Sequence, residues 1–244
     1  MRFVRSSLIT MPAIVLGTIA FGSVSLVISL FDSHGRQQIK VARAWAKFLC
    51  FAAGVRVIVE GLDKIDPDGA YVFTSNHLSY MDTPVVLSQI PVQFRFLAKE
   101  ELFKIPFMGT HLKSAGHIPV PRDDPRAAIR TLKLAAEKVH DQRISLLFFP
   151  EGGRSETGEL QEFKDGAAYV AIKAGAPLVP IALIGLRQIL PMHGKVFSTG
   201  TVRLRIGEPI LTAGLQISDR GKITAQSREQ IVAMLENQPV PVSR

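Results

Sequence analysis

A histidine and an aspartate five residues apart are the first side chains in this sequence whose types and spacing could do chemistry together. His77 and Asp82 lie in residues 75–82 (SNHLSYMD), between an apolar run typical of a strand and one typical of a helix. A carboxylate within reach of the imidazole could fix its tautomer and stabilise the imidazolium that forms when it accepts a proton, as a general base requires. Taken alone, such a pair is more often a structural hydrogen bond or a helix cap, so both interpretations stay open at this point.

A glycine turn with an acidic and a basic side chain forms the second cluster. Residues 149–155 (FPEGGRS) directly follow an apolar run typical of a strand. Glycines let backbone N–H groups approach a ligand closely, and the guanidinium of Arg154 supplies a forked donor suited to phosphate. The alternative is an ordinary glycine turn with a surface arginine. The spacing is not that of a nucleotide-binding loop, and no G-x-S-x-G motif makes Ser79 or Ser155 an expected nucleophile.

Six short apolar runs and three helical patterns must position these two clusters. The predicted strands are Val55–Val59, Tyr71–Thr74, Phe94–Ala98, Ile144–Phe149, Leu178–Ile184 and Thr201–Ile206. The predicted helices cover about residues 123–139, 166–174 and 223–235. Strands that alternate with helices predict an α/β fold, in which helices flank a mixed, largely parallel sheet and sites lie at the carboxyl ends of the strands.

Two details of these elements are predicted as well. Pro180 interrupts the run Leu178–Ile184, and because proline cannot donate to a strand ladder, we expect an edge, a bulge or a substrate-facing position there. Asp123 and Asp124 precede a proline at an early helical position, which favours the start of a helix. One apolar face of this helix is predicted to consist of Ile129, Leu132, Ala136 and Val139.

The apolar N-terminal segment predicts membrane insertion. Residues 6–31 contain no charged side chain. As a helix they would be about 39 Å long at roughly 1.5 Å per residue, against a hydrocarbon core of about 30 Å. The run is long for a signal peptide, and no clear cleavage site follows it. Pro12 and Gly22 would permit a shallow, bent insertion as readily as a straight span.

A basic amphipathic segment follows the apolar one. Residues 36–53 place apolar side chains at helical spacing and repeat Arg or Lys every three to four residues on another face. Such helices lie in the headgroup plane and attract anionic lipid, although a solvated basic face on an ordinary packed helix would show the same pattern. We therefore predict two parts, with residues 1–54 as membrane-anchoring helices and residues 55–244 as the α/β domain.

Composition narrows the class of protein. The chain has 244 residues, 47% of them hydrophobic, and a formal net charge of +8. So high a hydrophobic content excludes disorder, and the single Cys50 excludes a disulfide scaffold. Because no nucleic-acid-binding motif accompanies the positive charge, we expect an anionic and apolar partner such as a phospholipid membrane.

Four sequence blocks occur in order along the chain. They are Asn76-His77-x4-Asp82, Gly116-x-Ile118-Pro119-Val120-x-Arg122, Phe149-Pro150-Glu151-Gly152-x-Arg154-Ser155 and Val179-Pro180-Ile181. Residues 99–102 (KEEL), with Pro106 and Gly109, lie between the first two. This order resembles the glycerolipid acyltransferase family, and most closely its bacterial lysophosphatidate acyltransferases. Gly153 departs from the family pattern, in which a threonine is usual.

The resemblance implies transfer of a fatty acyl group from an acyl thioester to the sn-2 hydroxyl of 1-acyl-sn-glycerol-3-phosphate, which gives phosphatidic acid. A hydroxyl is a poor nucleophile at neutral pH, so a base must take its proton, and we assign this role to His77, oriented by Asp82. Substrate contacts are expected from Lys99, Arg122, Glu151, Gly152 and Arg154, although Glu151 could instead brace its turn. No metal and no cofactor is expected besides the co-substrate, which is acyl-CoA or the thioester of acyl-carrier protein (acyl-ACP).

Three alternatives to this function stay open. The acceptor could be another lysolipid, such as a lyso-ornithine lipid, the same residues could activate water in a thioester hydrolase, or the protein could bind lipid without catalysis. The expected partners are a phospholipid membrane, the lysophospholipid acceptor and the thioester donor, and not nucleic acid. We expect the protein at the cytoplasmic face of the bacterial inner membrane, with Cys50 packed or facing the membrane instead of acting as a nucleophile.

Overall fold

A long N-terminal helix opens the chain in the computed structural model, which describes residues 2–32, 35–121 and 124–236. The helix consists of α1 (Arg2–Arg5), a π-helical turn (Ser6–Thr10) and α2 (Met11–Ser29). Of the described residues, the stretch Phe3–Ser29 is the one helix long and apolar enough to cross a membrane, and only a small share of it is buried. Most of its apolar surface is therefore left uncovered by the rest of the chain.

The second helix, α3 (Arg36–Ala53), packs against the sheet through its apolar face. The Asp32 carboxylate caps it by accepting hydrogen bonds from three backbone N–H groups of the first turn at 2.6–3.1 Å. Ile39, Ala46 and Cys50 are buried in a core shared with the sheet. The predicted helix is confirmed, and protein covers its apolar face, whereas the division of the chain after residue 54 stays a prediction.

The described residues contain one sheet of seven strands. They are β1 (Val55–Glu60), β2 (Val72–Ser75), β3 (Phe94–Lys99), β4 (Ile118–Val120), β5 (Ser145–Phe148), β6 (Leu178–Ile184) and β7 (Gly200–Ile206). Their order is β1-β7-β6-β2-β5-β3-β4, and every neighbouring pair is parallel except β6 and β7. The carboxyl ends of β2, β3, β4, β5 and β6 therefore meet at one edge, where ligand sites of such sheets form.

Helices cover both faces of this sheet. They are α4 (Asp82–Gln89), α5 (Met108–Ser114), α6 (Pro125–Gln142), α7 (Gly166–Ala174), α8 (Leu186–Ile189) and α9 (Arg220–Glu236). α6 starts as its sequence predicts, because the Asp124 carboxylate accepts hydrogen bonds from the N–H groups of Arg126 and Ala127 at 2.8 and 3.0 Å and a proline follows it at the first helical position.

Successive strand residues point to opposite faces, so the sheet separates two hydrophobic cores. Phe73 of β2 lies in the core that α3 and α4 cover. Val72, next to it, lies in the core that α6, α7 and α9 cover. The predicted α/β fold, with a mixed, largely parallel sheet and flanking helices, is confirmed.

Of the three positions predicted for Pro180, the edge is wrong and the bulge is confirmed, because the register opposite Pro180 changes by one residue between the pairs Ile181–Ile206 and Leu178–Ile210. Pro180 is buried inside β6, between β2 and β7. Its carbonyl accepts a hydrogen bond at 2.8 Å from the N–H of Gly207, and the β7 ladder begins one residue later, at Ile181 opposite Ile206. Because the nitrogen and oxygen of one strand residue face the same side, the missing N–H of Pro180 lies at this bulge, past the last ladder pair of β7.

Two further details differ from the sequence prediction. Ile129 is 51% exposed although Ala136 and Val139, on the same predicted face, are buried. All buried residues of α6 lie in its second half, so its first turns extend beyond the covered part of the sheet. β4 was not predicted, because its three residues are too few for a recognisable alternation.

Candidate active site

His77 and Asp82 lie in the loop that joins the carboxyl end of β2 to the first turn of α4. The Asp82 Oδ2 is 2.8 Å from His77 Nδ1 and also accepts the backbone N–H groups of Leu78 and Ser79 at 2.7 and 2.8 Å. The Asp82 side chain is fully buried. Because Nδ1 donates to the carboxylate, the lone pair of the neutral ring lies on Nε2, as a general base requires.

The loop is tied to the carboxyl end of β6 and to the residue that follows α8 by two polar side chains. Asn76 pairs with the backbone of Leu183, donating from Nδ2 at 2.9 Å and accepting at Oδ1 at 2.7 Å. The Ser79 hydroxyl donates to the carbonyl of Leu190 at 2.6 Å. Sequence reasoning included both residues in the first cluster without assigning them this positioning role.

The imidazole of His77 is buried and packs against an aromatic ring, and this environment keeps it neutral. The ring of Phe149 stacks on the ring of His77 with a centroid distance of 3.8 Å and an interplanar angle of 12°. Burial lowers the pKa of His77, the hydrogen bond and charge of Asp82 oppose that shift, and the charge of Arg154 adds to it. The pKa of His77 therefore lies below its ordinary value, and the ring is a neutral acceptor at neutral pH.

Glu151 braces the loop instead of pointing into open space. Its Oε1 accepts the backbone N–H of His77 at 2.7 Å, and its Oε2 accepts that of Gln161 at 2.9 Å. The carbonyl of His77 in turn accepts the N–H of Ser155 at 2.9 Å. Burial raises the pKa of Glu151, and the two backbone donors oppose that shift. The segment 149–155 therefore holds the backbone of His77 from both sides.

The two glycines of this segment have different roles. Gly152 has a φ of +80°, and a Cβ there would lie 2.9 Å from Nζ of Lys164. Its N–H donates to the carbonyl of Phe149 at 3.0 Å, so the donor that could have served a reaction oxyanion closes the turn. Gly153 has no atom within 4 Å of a Cβ position, and the turn therefore has room for the threonine side chain that is usual in the resembled family.

Arg154 lies beside His77, and its guanidinium is held through Nε and through one of its faces. Its Nε donates to the carbonyl of Ser79 at 3.1 Å, and the guanidinium carbon lies 4.4 Å from the centroid of the Tyr80 ring. Its terminal Nη groups donate no hydrogen bond to any residue that the structure describes. A planar cation fixed by a backbone acceptor and an aromatic ring can bind an anionic group with both terminal nitrogens.

The remaining predicted site residues are spread more widely. Lys99 ends β3, two strands from β2, and its Nζ lies 3.3 Å from a carboxylate oxygen of Glu101. Arg122 lies outside the described residues. Cys50 is buried, with its sulfur 4.0 Å from the Ser88 hydroxyl, and burial raises the pKa of its thiol. Within the described ranges, no group of three or more His, Cys, Asp or Glu side chains could hold a metal ion.

The geometry joins a buried base, its carboxylate and a fixed cation at the carboxyl edge of an α/β sheet, and this combination defines a class of protein. The sequence model of the acyltransferase family matches residues 56–184, just over half of the chain. The chain therefore belongs to the acyltransferase family.

Individual relatives are similar along most of this chain. The chloroplastic 1-acyl-sn-glycerol-3-phosphate acyltransferase LPAT1 of Arabidopsis thaliana is 36% identical over 184 residues, which is 74% of this chain and 51% of that protein. The 1-acyl-sn-glycerol-3-phosphate acyltransferase of Borreliella burgdorferi is 30% identical over 195 residues, 80% of this chain and 77% of that protein. The chain thus spans about half the length of the plant relatives that it matches.

One solved structure is similar over its full length. The crystal structure of the 1-acyl-sn-glycerophosphate (LPA) acyltransferase PlsC from Thermotoga maritima has a TM-score of 0.82 and 26% sequence identity, with 100% of each chain covered. The similarity extends to the N-terminal helices, since none of this chain falls outside it.

Proposed function

We propose that the protein transfers a fatty acyl group from an acyl thioester to the sn-2 hydroxyl of 1-acyl-sn-glycerol-3-phosphate and forms phosphatidic acid. The observation that carries the proposal is the neutral, buried imidazole of His77, whose Nδ1 is held by Asp82 at 2.8 Å beside the guanidinium of Arg154. Relatives from a plant and a bacterium that bear the name of this activity support the choice of acceptor.

The proposed reaction needs no covalent enzyme intermediate. Nε2 of His77 accepts the hydroxyl proton while the hydroxyl oxygen attacks the thioester carbonyl carbon, and the buried Asp82 stabilises the resulting imidazolium. The tetrahedral intermediate then expels the thiolate, which takes the proton back from His77. The products are phosphatidic acid and the free thiol, and the neutral histidine is restored.

The phosphate of the acceptor is proposed to bind the terminal nitrogens of Arg154. Fixing the phosphate there would position the hydroxyl against His77, and such positioning supplies much of the rate gain in transfer reactions. Lys99 at the same sheet edge and Arg122 after β4 are proposed as further contacts, and the turn at Gly152 as the backbone approach to the substrate. We propose that Asp82 acts on the imidazole of His77 and Glu151 on its backbone N–H, and that neither side chain binds a metal or cofactor.

The membrane is proposed as the place where the acceptor is met, at the cytoplasmic face of a bacterial inner membrane. Support comes from α2, whose side chains Leu16 and Val27 are 67% and 61% exposed. Replacing both by lysine should move the protein from the membrane to the soluble fraction. A control with lysine at the exposed Gln142 and Gln226 adds the same charge and should stay in the membrane fraction; equal behaviour of both variants would remove α2 from this role.

A purified assay in lipid tests the activity itself. We expect thiol release from acyl-CoA or acyl-ACP to depend on added 1-acyl-sn-glycerol-3-phosphate, and His77→Ala to abolish it. Thiol release without any acceptor would identify a hydrolase, and a preference for lyso-ornithine lipid would change the acceptor. Lipid binding with no turnover by any donor would leave a binding protein. Near wild-type turnover of His77→Ala would reject the base.

A further inference from the structure

We propose that an exposed basic face of α6 docks an acidic acyl-carrier protein, which delivers the acyl group as a thioester. The inference rests on the proposed function and names the macromolecular donor for it. The basic face of α6 is defined by Arg126, Ile129, Arg130, Lys133 and Leu134.

These side chains share one side of the helix. At 100° per residue they fall within an arc of about 140°, over a length of about 12 Å. Ile129 and Leu134 are 51% and 59% exposed, and the three cations are exposed as well. Residues 125–136 contain no acidic side chain, although Asp124 at the cap lies 3.8 Å from Arg130 and Glu137 follows at the far end.

The combination of cations with uncovered aliphatic side chains indicates a protein partner. Charge complementarity would select an acidic surface and speed its encounter, and Ile129 and Leu134 would supply the apolar centre that stable interfaces need. The phosphates of acyl-CoA could meet the three cations of this face, which extends over about two helical turns, but they offer no apolar partner for Ile129 and Leu134. A carrier protein that presents acidic and aliphatic side chains together would contact both the cations and the aliphatic side chains of this face.

The membrane does not account for this face. α6 packs on the core side that contains Val72, whereas α3, against which α2 packs, lies on the side that contains Phe73. The sheet therefore stands between the basic face and the apolar helix that is proposed to enter lipid. A soluble donor can therefore approach the basic face of α6 while α2 stays in the bilayer.

The face is also within reach of the reacting atoms. β4 ends at Val120 on the carboxyl edge of the sheet, and α6 starts at Pro125, so its first turn begins near that edge. β4 is three strands from β2, which at about 4.8 Å per strand is about 14 Å from the strand that precedes His77. A thioester on the long flexible arm of a carrier protein can span that distance.

Charge reversal at Arg126 and Lys133 tests the proposal with the full-length protein. We expect the double variant R126E/K133E to raise KM for acyl-ACP by about tenfold at low salt, with kcat and KM for acyl-CoA unchanged. The effect should shrink as ionic strength rises. The control K173E/K222E reverses two exposed lysines on α7 and α9 and should behave as the wild type. A second variant, I129Q/L134Q, keeps the charges and should raise KM for acyl-ACP alone.

The other outcomes each overturn the proposal in a recognisable way. An unchanged KM for acyl-ACP, or an equal rise for both donors, removes α6 as a docking face. Use of acyl-CoA but not acyl-ACP by the wild type rejects the carrier and keeps the proposed function. Weaker sedimentation of R126E/K133E with anionic phospholipid vesicles, at unchanged donor kinetics, makes the face a lipid-headgroup surface. No phosphatidic acid from either donor rejects the proposed function together with this inference.

Discussion

Replacing Asp82 by asparagine removes a negative charge from behind the His77 imidazole and leaves the size of the side chain unchanged. Oδ2 of Asp82 accepts three hydrogen bonds, from the imidazole and from the N–H groups of Leu78 and Ser79. Oδ1 is buried and has no hydrogen-bond partner among the described residues. One orientation of the new amide keeps all three bonds, with its oxygen in the place of Oδ2, and this orientation buries the NH2 group where Oδ1 was.

The geometry sets the size of the effect. An imidazolium and a carboxylate about 4 Å apart attract each other by about 4 kcal/mol at an effective dielectric constant of about 20. Since each 1.36 kcal/mol in the barrier is about tenfold in rate, kcat should fall about 10³-fold. The buried amide without an acceptor should lower the free energy of unfolding by about 1–3 kcal/mol.

The same substitution also moves the pH dependence. In the proposed mechanism neutral His77 is the active form, so turnover should rise with pH through the pKa of this group. Asp82 raises that pKa, and its removal should shift the acid limb of the kcat profile to lower pH. This shift separates loss of the charge from a simple loss of folded protein, which would lower kcat equally at every pH.

The assay is lysophosphatidate acylation by purified enzyme in lipid, from about pH 4 to pH 8, with thermal unfolding measured in parallel. Asp219→Asn is the matched control, because Asp219 also accepts a backbone N–H, that of Gln216 at 2.8 Å, but lies on the surface. The control should keep wild-type kinetics. A kcat for Asp82→Asn within about threefold of wild type, with an unmoved acid limb, would refute the assigned role of Asp82.

Three further substitutions probe the segment 149–155. Arg154→Ala should raise KM for the phosphorylated acceptor. Because the charge of Arg154 lowers the pKa of His77, the acid limb of the kcat profile should also move to higher pH. An unchanged KM in the acylation assay would reject the proposed contact between Arg154 and the phosphate. Glu151→Gln leaves one backbone N–H without its carboxylate oxygen, so kcat should fall about tenfold with KM for the acceptor unchanged. Glu159→Gln is the control, and a rise in KM alone for Glu151→Gln would mean that Glu151 touches the acceptor. Gly153→Thr has open space for its side chain and should keep wild-type turnover with a melting temperature no lower than that of the wild type. A lower melting temperature in thermal unfolding would contradict this expectation.

The pattern of the sequence was sufficient for the elements that depend on local spacing. Alternating strands and helices predicted six of the strands, and β6 was predicted with its observed bounds. Asp124 with the following proline predicted the start of α6. The short β4 was missed because three residues carry too little pattern, and the exposure of Ile129 was missed because helical spacing does not reveal where the sheet ends.

The site shows the same division. Residue types and order along the chain were enough to predict His77 and Asp82 as a base with its carboxylate and Arg154 as a phosphate-binding cation, and the structure brings these three side chains close together. Nothing local indicated that both oxygens of Glu151 are occupied by backbone donors. The role of Tyr80 beneath the Arg154 guanidinium was equally hidden, because such contacts join residues far apart in sequence.

The sequence by itself determined the fold class, the family and the apolar N-terminal helix, because periodicity, motif order and charge-free length are properties of the chain alone. The tertiary structure decided which side chains act on one another. It brought residues 77 and 151 into contact across 74 positions, placed Pro180 where a strand ladder ends, and set α2 and the basic face of α6 on opposite sides of one sheet. Those outcomes depend on which strands become neighbours, and strand neighbours are chosen by the packing of the whole chain.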